Sequence, residues 1–272
     1  MPPSRNRPEE HRRDGDRGRE PRGRPKAPVV DPKIEIRERA KEMEARGLPP
    51  AMALAVAHGR MSLPQAMERL ARSAEIEQLM RKHDLTRAVA AQIAKGDADL
   101  TAFLQRRRLA QHLEQHFSKS CLEEAQRTGQ PLTTCLHGQR RIEAVVTAVG
   151  PYEVTLQPVD GSDALVIHKL QFKYCYLPGE WKRVRKALRR DKALGEGPRE
   201  PIARPQDRYT LSDKRLFGYV ERKLVLDITL LEGEILRGTV LWFGRYELGL
   251  ALKGEGQVTI FRHAIAIITK NP

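Results

Sequence analysis

Long apolar runs are missing from this chain. No stretch of about 18 consecutive apolar residues occurs, which argues against a membrane span, and the Arg- and Pro-rich N-terminus lacks the apolar segment of a secretory signal. Cysteine is scarce, with Cys121, Cys135 and Cys175 alone among 272 residues. Their number is odd and their spacing wide, and no CxxC or Cys/His pair has metal-ligand spacing. Reduced thiols in a cytoplasmic protein are therefore expected. Aromatic residues amount to 5% against 40% apolar residues overall, so part of the chain, but not all of it, can bury a core. Catalytic patterns are also absent. There is no legible Ser/His/Asp or Cys/His set, no Walker-type loop and no HExxH, and Gly218, Gly238 and Gly249 form no phosphate cradle. Neither an enzyme nor a cofactor or metal is expected.

Positive charge is abundant. The net charge is +14, and its placement matters more than its size. Residues 1–30 carry nine basic and five acidic groups, and residues 177–208 carry ten and five. Most of the excess thus sits in two Pro/Gly-rich segments, read as a flexible arm and a flexible linker, beside stretches closer to neutral. Basic tails on near-neutral modules point to a polyanion held by electrostatics, and nucleic acid is the leading partner.

The arm, residues 1–32, has too few apolar side chains to offset its ordering entropy and is expected to be disordered. Residues 33–110 read as helical hairpins built on a repeat. Adding 37 maps Leu48 onto Leu85, Met52 onto Val89, Val56 onto Ile93, Gly59 onto Gly96 and Ser62 onto Asp99. Each unit predicts a short helix, a Gly turn and a longer helix whose N-cap is Ser62 or Asp99. The longer helices mix both signs of charge. That suits protein docking better than DNA readout, so a protein partner is expected at this domain.

The last fifth of the chain alternates apolar residues at Leu224, Leu226, Ile228 and Leu230, and again at Tyr246, Leu248, Leu250 and Leu252. Glu232-Gly233, Phe243-Gly244 and Lys253 to Gly256 supply turns, which predicts five short strands. The runs LTTCL, RRIEAVVTAV, YEVTLQ, ALVIH and LQFKYCY predict five more between 132 and 176. Gly150 to Val154 matches Gly244 to Leu248 at an offset of 94, and Val166 to Lys169 matches Phe261 to Ala264 at 95. The expected fold class is α+β: helical hairpins, then two modules of one helix and a bent five-stranded antiparallel sheet or barrel. The modules are placed at 111–176 and 209–272, with the basic linker 177–208 between them.

The second module resembles the Sm-like family, and within it the bacterial Hfq-like RNA-binding proteins. The resemblance rests on the helix near Leu211 to Arg222, the step Leu236-Arg237-Gly238, the turn Phe243-Gly244-Arg245-Tyr246 and the closing run Phe261-Arg262-His263-Ala264-Ile265. It implies modules whose edge strands pair into a closed ring, with two modules per chain giving a homo-oligomer of three chains in a pseudo-hexamer. It also implies that single-stranded U-rich RNA binds at the pore face. There Tyr246 would stack on a base, Arg245 would flank it, Arg262 and His263 would supply donors, and Phe261 would pack beneath. In the first, more degenerate module, Tyr152, His168 and Lys169 keep part of this set. Lys214, Arg215, Arg222 and Lys223 are candidates for a basic rim. On the opposite face, the family's adenine-reading positions hold Thr229, Glu234 and Arg237, which does not favour adenine-rich RNA.

The leading expectation is an RNA chaperone or post-transcriptional regulator. The alternatives are a ring-forming scaffold and a DNA-associated protein using its hairpins.

Overall fold

A computed structural model of the protein describes residues 31–191, 193–194, 200–253 and 256–270. All but the last two residues of the expected arm, and part of the expected linker, lie outside these. The chain divides into two units, residues 1–98 and 99–272.

The first unit contains α1 (Pro32–Ala45), α2 (Pro50–Ala57), α3 (Leu63–His83) and α4 (Arg87–Ala94). Asp31 caps α1 by accepting from the Lys33 N–H, and Pro32 occupies the first turn, where its missing donor costs nothing. Ser62 and Gln65 form a reciprocal capping box at the start of α3. The 37-residue repeat holds to the residue: α2 shifted by 37 is α4, and the first residue of α3 shifted by 37 is that of α5 (Leu100–His116). Gly59 and Gly96 take the same left-handed conformation, with φ of 71° and 81°. Their amides close on the carbonyls of Val56 and Ile93, again 37 apart. The buried core of this unit is small, centred on Leu48, Ala53 and Ala66.

The second unit begins with α5, which packs against β8 of the sheet and against α8. It continues through α6 (Cys121–Thr128), β1 (Leu132–Leu136), β2 (Arg140–Val149), β3 (Glu153–Pro158), β4 (Leu165–His168) and β5 (Phe172–Tyr176). Then come α7 (Trp181–Ala187), β6 (Leu188–Arg190), α8 (Asp213–Arg222), β7 (Val225–Leu230), β8 (Glu234–Phe243), β9 (Glu247–Leu252), β10 (Gln257–Phe261) and β11 (Ile265–Lys270). The fold is α+β, with one eleven-stranded antiparallel sheet that is not closed.

Strand order runs β11-β7-β8-β9-β10-β5-β1-β2-β3-β4, with β6 added onto β8. The main path is one five-strand arrangement made twice, fifth-first-second-third-fourth. β2 and β3 shifted by 94 are β8 and β9. The bulges in their pairings, between Val146 and Ala148 and between Val240 and Trp242, also lie 94 apart, so both long strands bend at the same place. The two strand sets join where β10 pairs with β5, with Thr259 opposite Cys175 and Ile260 opposite Tyr174.

The cores interlock across that joint. Phe261 of the second set is buried among Leu132, Leu156 and Phe172 of the first. Tyr174 and Tyr176 of the first set are buried among Leu216, Leu248 and Ile260 of the second. The described part of the expected linker is structured. Trp181 stacks on Tyr176 at 6.1 Å, Arg141 covers the indole at 4.2 Å, and β6 pairs Leu188 with Leu236. No helix of the described residues is long and apolar enough to cross a membrane.

Candidate nucleic-acid interface

Two equivalent turns carry exposed tyrosines. In the first set, the Gly150 N–H donates to the Glu153 carbonyl and the Lys169 N–H to the Tyr152 carbonyl. In the second, the Gly244 N–H donates to Glu247 and the Arg262 N–H to Tyr246. Each tyrosine thus sits at the tip of a strand connection, braced by the short 3-10 turn that precedes the last strand of its set. Tyr152 is 71% exposed and Tyr246 62%, although large apolar side chains elsewhere in this unit are mostly buried. An exposed ring on a braced turn can stack on a flat ligand at little further cost in ordering entropy.

Strand register redefines the correspondence between the copies. Glu153 lies opposite His168, and its counterpart Glu247 lies opposite Phe261. The equivalent pairs are therefore His168 with Phe261 and Lys169 with Arg262, an offset of 93. The sequence match at 95 had aligned His168 with His263, whose structural counterpart is Leu170. The basic residue that follows the fourth strand is present in both copies, while the histidine precedes it in the first (His168) and follows it in the second (His263).

The residues singled out in the second set divide into two groups. Arg245 and Tyr246 are exposed, with the guanidinium 5.0 Å from the Tyr246 ring centroid and 5.9 Å from that of Phe117. Arg262, Phe261 and His263 are committed within the fold. Arg262 donates to Asp213 Oδ1 at 3.0 Å and to the carbonyls of Gly244 at 3.0 Å and Leu211 at 2.7 Å, tying the turn to the start of α8. Phe261 is buried against Phe172. His263 donates from Nε2 to the Phe172 carbonyl at 2.9 Å. Burial, aided by the Arg208 charge, lowers its pKa to about 4, so the ring is neutral near pH 7.

In the first set, Tyr152 and His168 lie nearly parallel, 12° between planes and 6.4 Å between centroids, and both are exposed. His168 Nδ1 accepts from the Leu170 N–H, which leaves Nε2 to carry a proton outward. Lys169 stands next to this pair. The degenerate copy thus keeps its aromatic and histidine at the surface.

Helix α5, most of which was expected to belong to the helical hairpins, contributes to this site. The Phe117 carbonyl, just past its end, accepts from the Arg245 N–H at 3.1 Å, and His112 Nε2 accepts from the Phe243 N–H at 3.3 Å. The helix thereby holds the Arg245-Tyr246 turn from behind. Burial, and then neighbouring His116, lower the His112 pKa, which suits a ring nitrogen acting as acceptor.

The rim candidates Lys214, Arg215, Arg222 and Lys223 are all exposed on or just beyond α8. The first three share a shallow depression of about 390 Å³ with Lys270. The opposite-face positions are occupied internally. Thr229 is buried, and Arg237 lies 3.9 Å from Asp227. Glu234 pairs with Lys173, which also pairs with fully buried Glu232. Glu232 further accepts from the Gly138 N–H at 2.7 Å and the Gln139 N–H at 3.2 Å. This buried cluster links β5 and the β1–β2 turn of the first set to the β7–β8 turn of the second. Nothing in the local sequence pattern marked it, because Lys173 lies in an otherwise apolar strand. Among the described residues, no His/Cys/Asp/Glu group is arranged to hold a metal.

No family model matches the chain, and no curated protein or solved structure shows significant similarity to it.

Proposed function

We propose that this protein binds single-stranded, U-rich RNA in the cytoplasm, as an RNA chaperone or post-transcriptional regulator of Sm-like, Hfq-like type. The observation that carries the reading is the pair of equivalent braced turns presenting Tyr152 and Tyr246, each beside basic residues, on a chain of net charge +14. Arg245 flanks one ring, and His168 with Lys169 flanks the other. Bases would stack on the tyrosines, and the cations would meet phosphate oxygens. Arg262 and His263 serve this site by holding its walls.

Self-association through the free strand edges belongs to the same reading. β10 pairs with β5 inside the chain, while their counterparts β4 and β11 end the sheet, each with no second strand neighbour among the described residues. Applying the offset of 93 to the internal joint puts Val166 opposite Ile268, and Ile167 opposite Ile267, of another copy. Val166 and Ile267 are 64% and 45% exposed, apolar residues on edges that a neighbouring chain would cover. Three chains joined this way would give six strand sets.

The test is binding of short U-rich, A-rich and duplex oligonucleotides at two salt concentrations, with native mass measured in parallel. U-rich binding that weakens in Tyr246→Ala and Tyr152→Ala supports the site. Undiminished binding in the double variant refutes it. Oligomers without nucleic-acid binding would favour a scaffold, and duplex binding alone would favour DNA association through the helical hairpins.

A further inference from the structure

We propose that Cys121 and Cys175 are a redox modification site, closing to a reversible disulfide that ties α6 to β5 at the joint between the two strand sets. This inference is independent of the RNA reading. The two Sγ atoms lie 3.1 Å apart although the residues are 54 positions apart in the chain. A disulfide bond of about 2.05 Å asks for only about 1 Å of further approach. Cys121 is the first residue of α6, just after the Ser120 cap, so a small shift of one helix end suffices. Cys175 is fixed by ladders on both sides, opposite Thr134 of β1 and Thr259 of β10.

Access is built in. Both cysteines line a cleft of about 630 Å³ walled by α6, β5, Trp242, Gln257 and Thr259. A volume of that order admits a small organic molecule. Cys121 is only partly buried. Cys135 is buried elsewhere, lines a different pocket, and is engaged with Tyr174. The oxidant class is a low-molecular-weight disulfide such as glutathione disulfide. Cys121 sulfur attacks one sulfur of the reagent, forming a mixed disulfide and expelling one thiol. Cys175 sulfur then attacks Cys121 sulfur and expels the second. Two protein thiols become one disulfide, the reagent becomes two thiols, and the two protein protons leave with them.

The surroundings set the rate. The hydrogen bond with Cys175, burial and the Glu247 carboxylate together push the Cys121 pKa well up. The thiol is therefore slow at neutral pH and gains as pH rises. The location gives the bond a consequence. The Cys121 N–H donates to Glu247 Oε2 at 2.7 Å and the Ser120 hydroxyl to Oε1 at 3.1 Å. Glu247 directly follows Tyr246, so the locked helix end holds the residue beside an exposed tyrosine.

The experiment incubates the reduced full-length protein with glutathione disulfide, denatures it, and labels thiols with a maleimide for intact mass and peptide mapping. The expected result is a fall from three labelled thiols to one, the remaining label on Cys135, with dithiothreitol restoring three. Cys135→Ala should fall from two to none, and Cys121→Ala should form no intramolecular bond. Three labels retained after exposure at pH 8.5, persistent glutathione adducts on single cysteines, or bonds to Cys135 or between chains would each overturn the proposal. The wild-type peptide map decides the matter even if a variant fails to fold.

Discussion

His263 reaches across the joint between the two strand sets to donate from Nε2 to the Phe172 carbonyl at 2.9 Å. A residue type whose neutral ring can offer a donor to RNA is instead consumed by a backbone acceptor. Its burial has a thermodynamic consequence.

Stability should fall on mild acidification. The folded His263 pKa is about 4, below the ordinary value of 6.5. The unfolded chain therefore binds a proton that the folded chain resists. The contribution of neutral His263 is complete above about pH 6.5 and is lost as pH falls from there toward 4. With about 1.4 kcal/mol per pKa unit, the loss approaches about 3 kcal/mol. Denaturant midpoints measured from pH 7 to pH 4 should show it, and His263→Gln should flatten that part of the profile. An identical slope in the variant would exclude His263 as the cause.

Lys173 should be among the least replaceable residues. It is 1% exposed and stands between the carboxylates of Glu232 and Glu234. Lys173→Met leaves two buried carboxylates without their cation, which costs on the order of 3–5 kcal/mol. Chemical denaturation would register it as a large drop in midpoint. Replacing exposed Lys214 should leave the midpoint within about 0.5 kcal/mol of wild type.

Tyr246→Ala and Tyr152→Ala should each weaken single-stranded RNA binding by about 1–3 kcal/mol while changing stability little, because both rings are mostly exposed. Arg262→Ala should behave differently. Its donors hold the Gly244 and Leu211 carbonyls, so it should lower thermal stability together with RNA affinity. Calorimetry beside fluorescence titration separates the two effects.

Val166→Lys or Ile267→Lys should dissociate oligomers without unfolding the chain. Each places a charge on a free edge strand, where one blocks strand addition. Native mass should fall to that of one chain while circular dichroism stays unchanged. Oligomers that survive both substitutions would show that association uses another surface.

Much of the architecture was legible because it is periodic and punctuated. Gly59 and Gly96 ended helices where the 37-residue repeat put them. The runs LTTCL and RRIEAVVTAV became β1 and β2 unchanged. The role of α5 was hidden, because its pattern continues the helical repeat while its contacts are to Gly244, Arg245 and Phe243 far along the chain. The strand β6 in the expected linker was hidden too, since it forms only by pairing with β8.

The same division holds for the site. Local sequence determined where the turns fall, that each carries a tyrosine, and that the chain is basic, since these follow from residue type and short-range spacing. Tertiary structure decided which side chains remain available. Strand register, not sequence similarity, made Lys169 the counterpart of Arg262. The joint between strand sets buried Phe261 and half-buried His263 in the second copy, and left Tyr152 and His168 exposed in the first. The physical reason is that β10 has a neighbour in this chain, which covers what lies beside it, while its counterpart β4 is a free edge.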